Sequence, residues 1–545
     1  MDVPLDAAYQ RLLTELSRKL GAVRAELLLH GDPPDRLIAR AEQAGGPAER
    51  WLDMPIREGA HEAGCLRLVF AGDAPLPSPA ERAMVQALLE LAALLVEEQH
   101  QITWGPLRQA GRRWLQTVKC ASAATAGLSS RPEWEQPFSG QFDFSQVDDT
   151  AVRSLLEKLR DGGSLATVFD TRFERREWRF AGKGGELLLM ADRGVIEAGG
   201  KQEVISELEL ELAGAPIEML FDAAGRLAQS LPLRAESRSK AQRGYDLVEG
   251  TQPVAVRAGR SPIDPKHGTA SAFRTVALDS IAHYQANEAG ALQSDAPEFI
   301  HQMRVALRRL HSALRLFSPV LPEGAAADLA PRLRALARDL GELRDRDVLQ
   351  SELLAPVLAG SGDRDIRRLA AGLLDARQLT RSRMLGALQD GRQARLMIAL
   401  LDTLYRLPPD DDAGDLRKLA HKRLTRAHAR MLDAARHASD GDIAALHALR
   451  IDIKRLRYAI EFFSPLLGAR QSRQALGALV DAQEQLGFLN DLGQAGPHLL
   501  AVAGNDPALL AAVSRIATHH LPRYRKIVGD APKLLRRLGR MRLPH

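Results

Sequence analysis

The sequence of 545 residues contains only two cysteines, Cys65 and Cys120, which fall in different predicted domains. This scarcity excludes a disulfide framework and cysteine-ligated zinc sites, and it favours a reducing compartment. No apolar run reaches the ~18 residues that a membrane span requires. The acidic N-terminal stretch also lacks the apolar segment of a signal peptide. We therefore expect a cytoplasmic protein without membrane contact.

Aromatic residues are also scarce, at 5% of the chain, whereas positive charge is concentrated in the C-terminal half. Residues 265–545 contain 42 Lys+Arg against 30 Asp+Glu, and the remaining residues contain 32 against 39. Twelve of the 15 histidines lie in the same basic half. This asymmetry indicates either a domain that holds an anionic partner or simply a soluble basic surface.

Residues 1–104 are predicted to form a small α/β segment. Helical spacing covers Tyr9–Leu20 and Ser78–Gln99, and strands are predicted at Arg24–Leu29 and Gly64–Phe70. The closing helix, which begins with a Ser-Pro capping pair, resembles the end of a GAF-type sensor domain. The resemblance leaves open a ligand sensor and a packing module that forms a homodimer.

Residues 105–250 are rich in predicted strands. The strand candidates are Trp114–Lys119, Leu165–Phe169, Glu177–Phe180, Glu186–Met190 and Ser206–Leu212. Strict alternation in the last of them places Glu207, Glu209 and Glu211 on one face and leucines on the other. A stretch rich in Gly, Ser and Pro at 251–268 is predicted to be a linker.

The β-rich segment resembles the CYTH (triphosphate tunnel metalloenzyme) family. The resemblance rests on GRRWLQTVK at 111–119, DTRFERREW at 170–178, ISELELELAGAP at 205–216 and SKAQRGYDL at 239–247. It implies triphosphate contacts from the cations Arg112, Lys119 and Lys240. It also implies acidic, metal-binding roles for Asp192, Glu207 and Glu209.

Two positions depart from the CYTH pattern. No ExExK strand precedes Gly111, and Leu188 stands where the family has a carboxylate. We therefore interpret residues 105–250 as an incomplete CYTH-like domain with a structural or regulatory role rather than a catalytic one. No cofactor is expected, except Mg²⁺ if this domain is active as a triphosphate or polyphosphate hydrolase.

Residues 269–545 are predicted to be almost entirely helical and contain a duplication. Residues 301–321 (HQMRVALRRLHSALRLFSPVL) align without a gap with residues 447–467 (HALRIDIKRLRYAIEFFSPLL), at an offset of 146. Helix breaks are expected at Pro- and Gly-containing sites, which include Gly493–Pro497 and Leu521-Pro522.

Each copy of the duplicated helix carries two parallel stripes at helical spacing. The first basic stripe is His301, Arg304, Arg308, His311 and Arg315, and the second is His447, Arg450, Lys454 and Arg457, followed by Glu461. The apolar stripes are Met303, Leu307, Leu310, Leu314 and Phe317, and Leu449, Ile453, Leu456, Ile460 and Phe463. The apolar stripes predict bundle seams, with the basic stripes along a groove.

A row of cations with few interleaved acids suits a polyphosphate, whose charges repeat and which has no bases. Two alternatives remain open for these residues. The arginines could form salt bridges with Asp345, Asp347 and Asp491, or the groove could bind nucleic acid. Histidine in the stripes predicts that polyphosphate affinity rises as pH falls from about 8 to about 6.

The duplicated region resembles the CHAD family (conserved histidine α-helical domain), through the HxMRVxxRRL, LGxLRDxDVL and LHxLRxxxKRLRYxxExF lines. The resemblance implies two pseudo-symmetric helical bundles, at about 269–400 and 415–545, around a basic groove. It implies binding of inorganic polyphosphate, at polyphosphate granules, rather than its cleavage. The implied contacts are His301, Arg304, Arg308, Arg309, His447, Arg450, Lys454, Arg455 and Arg457. His311, Arg315, Lys422, Arg426 and Arg430 are expected to line the same groove. The expected architecture is thus multidomain, with an all-α C-terminal domain.

Overall fold

The computed structural model divides the chain into two compact units. The first unit contains residues 1–124 and 129–251, and the second contains residues 125–128 and 252–545. The described residues are 24–29, 36–42, 48–58, 61–71, 115–119, 127–128, 133–138, 142–150, 153–154, 156–157, 168–182, 184–250, 252–360, 362–438 and 442–544. The two helices predicted near the N-terminus, Tyr9–Leu20 and Ser78–Gln99, lie outside these residues.

A four-stranded antiparallel sheet forms the N-terminal part of the first unit. Its strands, in the order β2-β1-β4-β3, are β1 (Arg24–Leu29), β2 (Arg36–Glu42), β3 (Ala48–Glu58) and β4 (His61–Ala71). The strands predicted at Arg24–Leu29 and Gly64–Phe70 are confirmed as β1 and part of β4. Sequence reasoning missed β2 because its Ala, Arg and Glu residues favour helix over strand.

Two further antiparallel arrangements complete the described strands of the first unit. These strands are β5 (Leu115–Lys119), β6 (Glu133–Pro137), β7 (Asp170–Gly182), β8 (Gly185–Ala198) and β9 (Lys201–Ala213). β5 pairs with β6, and β7-β8-β9 form a meander. Gly199 and Gly200, both with positive φ, make the two-residue turn from β8 to β9. The strands predicted at 177–180, 186–190 and 206–212 lie inside this meander, whereas Val168 and Phe169 have no regular structure.

Two helices follow the meander, α1 (Ile217–Ser230) and α2 (Lys240–Glu249). The Ser239 hydroxyl accepts a hydrogen bond from the backbone N–H of Gln242 and thereby caps α2. α2 packs against β8 and β9, and Gly244 on this helix lies close to the Phe169 ring. The packing places Lys240, the first residue of α2, beside the acidic face of β9.

The second unit is helical. Its helices are α3 (Thr269–Gln293), α4 (Pro297–Leu316), α5 (Ala325–Val348), α6 (Ala355–Ala359), α7 (Arg364–Gln389), α8 (Arg392–Tyr405), α9 (Leu416–His437), α10 (Ile443–Phe463), α11 (Ala469–Ala503) and α12 (Pro507–Gly539). A π-helical segment, Leu349–Leu354, joins α5 to α6. Within the described residues, no helix is both long enough and apolar enough to cross a bilayer.

The duplication appears in the structure as two equivalent sets of three helices, α3-α4-α5 and α9-α10-α11. Every residue of both apolar stripes is buried, at 2% exposure or less. The two copies meet through α4 and α10, where the equivalent rings of Phe317 and Phe463 lie with their centroids 5.5 Å apart. The prediction that these stripes form bundle seams is therefore confirmed.

Two predicted helix breaks are wrong. α11 continues through Gly493–Pro497, and α12 continues through Leu521-Pro522. A proline inside a helix removes one backbone hydrogen bond and adds a steric clash, and the buried faces of these long helices offset that cost. Breaks at Ser318-Pro319 and Ser464-Pro465 do occur, as short 3₁₀ turns.

The segment predicted as a linker, 251–268, has no helix or strand where it is described, but it is packed against the helices. The backbone N–H of Val256 donates to the side-chain oxygen of Asn287, and the side-chain amide of Asn287 donates back to the carbonyl of Val256. The Ser261 hydroxyl donates to the carbonyl of Phe462. Residues 252–268 therefore belong to the helical unit.

Candidate functional site

The contact between α4 and α10 brings four cations from the two repeats together. This central cluster consists of Arg304 and Arg308 on α4, and Arg450 and Lys454 on α10. The charges act on one another: Arg308 lowers the pKa of Arg304, and Arg450, Arg308 and Arg304 each lower the pKa of Lys454. Arg308 Nε also donates to the hydroxyl of Tyr458, 3.2 Å away, which ties α4 to α10.

Opposite charge is sparse around the central cluster. Asp345 on α5 and Asp491 on α11 act on its cations from a distance. Among the described residues, no carboxylate forms an ion pair with any of the four cations. Asp347, a third carboxylate that the sequence offered as a partner, is buried and pairs instead with Arg377 at 2.7 Å. The salt-bridge interpretation therefore does not apply to this cluster.

Burial and mutual repulsion both shift the protonation equilibria of these residues. Burial, followed by the neighbouring cations, lowers the pKa of Lys454 to about 7 and that of Arg304 to about 10. Burial, followed by the charges of Arg344 and Arg308, lowers the pKa of His301 to about 4. A set of cations that folding holds together against repulsion is a feature of binding sites, since an arriving anion relieves the repulsion.

The Arg304 side chain occupies a space left by a glycine on α5. Its Nη1 donates to the carbonyl of Ala337 at 2.9 Å, and a Cβ at Gly341 would lie only 2.2 Å from that nitrogen. The equivalent glycine of the second repeat, Gly487, has no atom within 4 Å of such a Cβ. Gly341 therefore positions Arg304, whereas Gly487 has no comparable neighbour.

A second group of cations lies around Arg315 towards the C-terminal end of α4. This distal cluster consists of His311, Arg315, Arg455 and Arg430. Burial, together with Arg455 and Arg430, lowers the pKa of Arg315 to about 10. Burial, Arg315 and Arg455 also lower the pKa of His311. Arg455 and Arg430 are exposed. Asp452 pairs with Arg455 at 2.9 Å and partly balances the charge around Arg315.

The other residues expected in the groove are placed less centrally. Arg426 is exposed on α9, one turn before Arg430. Both residues lower the pKa of Arg423. Lys422 is exposed one turn earlier on α9, and His447 is exposed one turn before Arg450 on α10. These positions are on the correct helices, and nothing in the described contacts joins Lys422 or His447 to either cluster.

Arg309 and Arg457 are held by ion pairs. Arg309 is 3% exposed, donates to Asp279 at 3.1 Å, and lies over the Phe462 ring. Arg457 pairs with Glu461 at 3.3 Å. Arg309 was expected among the ligand contacts, but the structure buries its side chain in ion pairs. The adjacent Arg308 differs because one residue along a helix turns the side chain by about 100°. Arg457 would likewise have to leave its ion pair with Glu461 before it could contact a ligand.

Sequence reasoning missed three cations near the groove: Arg334, Arg344 and Arg423. Arg344 acts on His301 and Arg304, Arg334 acts on His311, and Arg423 acts on Arg315. Arg344 lies in the repeated LGxLxD line, but Asn490 stands at the equivalent position of the second copy. A search for duplicated cations could not find a residue that is not duplicated.

The first unit contains a separate carboxylate cluster: Asp192 on β8, with Glu207 and Glu209 on β9. Their oxygen atoms lie within 4.8 Å of one another. Lys240 Nζ contacts all three carboxylates, at 2.7 Å from Asp192 and 2.8 Å from Glu209. Arg175 donates to Asp192 and Glu209 at 2.6 Å each. The sequence-based grouping of these acids with Lys240 therefore matches the geometry.

The negative charges of this carboxylate cluster are balanced by the neighbouring cations Arg175 and Lys240. Burial alone would raise the pKa of Asp192, but hydrogen bonds from Arg175 and Lys240 hold it below its ordinary value. Three carboxylates are the ligands that a hard divalent cation prefers, so the donor set fits Mg²⁺ once the Lys240 ammonium has moved away.

Arg175 and Arg243 were not anticipated at this cluster. Arg243 donates to Glu203 at 2.7 Å and to Glu207 at 2.9 Å. Of the remaining predicted cations, Arg112 lies outside the described residues, and Lys119 is described only as the last residue of β5.

The described residues thus form duplicated helices that bring cations together and, earlier in the chain, an antiparallel meander with a carboxylate cluster. Family models match both parts. The chain contains a CHAD domain over residues 275–500, preceded by a CYTH domain over residues 107–245. These matches confirm both family resemblances, while the GAF-like interpretation of residues 1–104 stays a prediction.

Known proteins resemble parts of the chain. An inorganic triphosphatase of Haemophilus influenzae is 31% identical over 143 residues, 26% of this chain and 40% of the relative. An uncharacterized protein of Mycobacterium tuberculosis is 31% identical over 284 residues, 49% of this chain and 52% of the relative. The chain thus spans about half or less of these relatives. A solved CHAD domain from the plant Ricinus communis is 31% identical, with a TM-score of 0.47, over 54% of this chain and 99% of that structure.

Proposed function

We propose that this protein binds inorganic polyphosphate in the groove between α4 and α10. The observation that carries the proposal is the central cluster, in which four cations from two repeats converge without an ion-pair partner among the described residues. Arginine side chains are suited to this ligand because their planar donors bind phosphate oxygens in pairs. The CHAD domain supports the same ligand class.

The distribution of the cations favours an extended ligand over a small one. Arg308 of the central cluster and Arg315 of the distal cluster are seven residues apart on α4, a rise of roughly 10 Å. A polymer with regularly spaced charges reaches both clusters, whereas a single phosphate reaches one. Binding along such a polymer would place the protein at polyphosphate granules.

Nucleic acid is the main alternative ligand, because a basic groove also attracts its phosphates. Binding of unpaired bases relies on exposed aromatic rings for stacking. The aromatic side chains nearest the groove, Tyr458, Phe317 and Phe463, are buried. The groove therefore offers charge and little stacking surface.

A competition experiment separates the two ligands. We expect unlabelled polyphosphate to displace labelled polyphosphate from the full chain at a phosphate concentration at which duplex DNA or single-stranded RNA leaves it bound. The measurement is fluorescence anisotropy at fixed salt, with each competitor matched in phosphate. Equal displacement by polyphosphate and a nucleic acid would contradict the proposed specificity.

Gly341→Ala is expected to change affinity and stability in opposite directions. The added Cβ would occupy the space of Arg304 Nη1, so we expect polyphosphate affinity to fall about tenfold, the loss of roughly one charge-assisted hydrogen bond. Alanine in the interior of α5 adds about 1 kcal/mol of helix propensity, so the free energy of unfolding should not fall. Calorimetric titration and chemical denaturation measure the two effects.

Gly487→Ala is the matched control, because it makes the same change at the equivalent position of α11, where a Cβ meets nothing. It should share the gain in stability and keep wild-type affinity. An unchanged affinity for Gly341→Ala would show that the position of Arg304 does not matter for binding.

A second candidate function is metal-dependent hydrolysis of triphosphate by the CYTH domain. The observation that favours it is the set of three convergent carboxylates, Asp192, Glu207 and Glu209, with cations within reach. The similarity to an inorganic triphosphatase over 143 residues supports the same reaction class. In this function the acids would hold Mg²⁺ while Lys240 and Arg175 contact phosphate oxygens.

Phosphate release from tripolyphosphate tests this second function. We expect any activity to require Mg²⁺ and to fall at least 100-fold in Glu207→Gln/Glu209→Gln, because amides keep the shape but lose the negative charge that holds the metal. Glu211→Gln, on the exposed end of the same strand face, is the control. Activity that persists in the double variant would exclude the carboxylate cluster as its source.

A further inference from the structure

Lys454 differs chemically from the other three members of the central cluster. An arginine guanidinium keeps its charge near neutral pH, whereas a lysine amine loses its proton more readily when it is half-buried among cations. Arg450 lies one helical turn before Lys454 on α10, and Arg308 donates to the hydroxyl of Tyr458, one turn after Lys454, at 3.2 Å. Together with Arg304, these arginines set three positive charges against one carboxylate, Asp491 on α11.

Charged groups on the other neighbouring elements act on different residues. Asp345 and Arg344 on α5 act on Arg304. The cations of α9, the other helix packed against α10, act on Arg315 in the distal cluster. The protonation of Lys454 is therefore governed by the central cluster itself. Burial and the three arginines lower its pKa to about 7, so the free protein near neutrality is a mixture of protonated and neutral forms.

We propose that Lys454 takes up one proton from solvent when polyphosphate enters the groove, so that binding is coupled to the protonation of a single amine. The inference rests on the proposed function and names a regulation of the same site. Phosphate oxygens brought beside the amine favour its charged form. The proton comes from a buffer acid: its bond to the buffer breaks, a new N–H bond forms at Lys454 Nζ, and no other covalent bond changes.

The sign of the pH dependence follows from this shift. Below about pH 7 the amine is charged in both the free and the bound protein, so its contribution to affinity is constant. Above that pH the free form is neutral while the bound form is still charged, and affinity falls by roughly tenfold per pH unit until the bound amine also titrates.

The same geometry revises the role expected of histidine. With a pKa of about 4 in the free protein, His301 is neutral throughout the range from pH 8 to pH 6. The pKa of His311 is also lowered. His301 therefore does not change its charge in the expected range, and the rise in affinity between pH 8 and pH 7 is assigned to Lys454.

Proton uptake is measured by titrating long-chain polyphosphate into the full chain calorimetrically, in buffers that differ in ionisation enthalpy. We expect uptake of about one proton at pH 8 and close to none from Lys454 at pH 6. Lys454→Arg, whose charge is permanent, should bind with little uptake at pH 8, and its affinity should vary less than twofold between pH 7 and pH 8. Lys526→Arg, at an exposed site on α12, should behave as wild type.

Lys454→Met is a second variant, neutral at every pH. It should bind about tenfold more weakly than wild type at pH 6 and should also lack the uptake at pH 8. Heat that is independent of buffer in the wild type at pH 8, or uptake that persists in both variants, would overturn the coupling. A wild-type chain that gives no polyphosphate binding in any buffer or pH would instead overturn the proposed function.

Discussion

Replacing Arg304 and Arg450 together with alanine is expected to weaken polyphosphate binding by roughly 100-fold or more. The two residues are the first arginines of the central cluster in each repeat, and neither has an ion-pair partner among the described residues. A hydrogen bond to a charged group contributes about 1.5–3 kcal/mol, and each lost contact of that size weakens binding about tenfold or more. Calorimetric titration of long-chain polyphosphate into the double variant measures the effect.

The same double variant should keep its stability. Because Arg304 and Arg450 lie among repelling cations, their removal costs no ion pair, and we expect the free energy of unfolding to change by less than about 1 kcal/mol. Arg436→Ala/Arg473→Ala is the matched control, since it removes the same charge from exposed positions on α9 and α11. Wild-type affinity in the Arg304→Ala/Arg450→Ala variant would show that the basic stripes are structural.

Arg309→Ala is expected to show the converse, a loss of about 3 kcal/mol in the free energy of unfolding with little change in affinity. Its side chain is 3% exposed and pairs with Asp279 and Glu461 while covering the Phe462 ring. Removing one partner of a buried pair is costly because it leaves an uncompensated charge behind. Chemical denaturation measures this loss.

Arg308→Ala is the control for that variant, because it removes the same residue type from the adjacent position. Arg308 contacts Tyr458 and the central cluster and has no carboxylate partner among the described residues. It should lose affinity and keep stability. A similar loss of stability in both variants would mean that the two positions are not distinguished as the burial and ion pairs indicate.

Most of the structure that could be predicted from the sequence followed from the helical periodicity of its apolar residues. The residues of the apolar stripes recur at the spacing of one helix face, so their burial follows from sequence alone. The duplication marked equivalent cations on two helices, and the structure brings them together where α4 contacts α10. Alternation in β9 likewise placed Glu207 and Glu209 on one face, and the CYTH resemblance grouped Asp192, which lies on the neighbouring strand opposite Glu207, with them.

The features that sequence did not predict depend on contacts between distant residues. The sequence of two adjacent arginines does not indicate that Arg308 faces the groove while Arg309 pairs with Asp279, 30 residues earlier. The lowered pKa of Lys454 depends on cations brought from another helix. Helix continuity through Pro497 was equally unpredictable, because tertiary packing offsets the local penalty.

The most direct test of polyphosphate binding by the central cluster is the salt dependence of affinity. If the ligand is held by cation–phosphate contacts, the logarithm of the association constant should fall linearly with the logarithm of salt concentration. The slope should become shallower by roughly one to two in Arg304→Ala/Arg450→Ala, because two contacts no longer release counterions. A slope near zero in the wild type, or the same slope in both proteins, would contradict binding at this cluster.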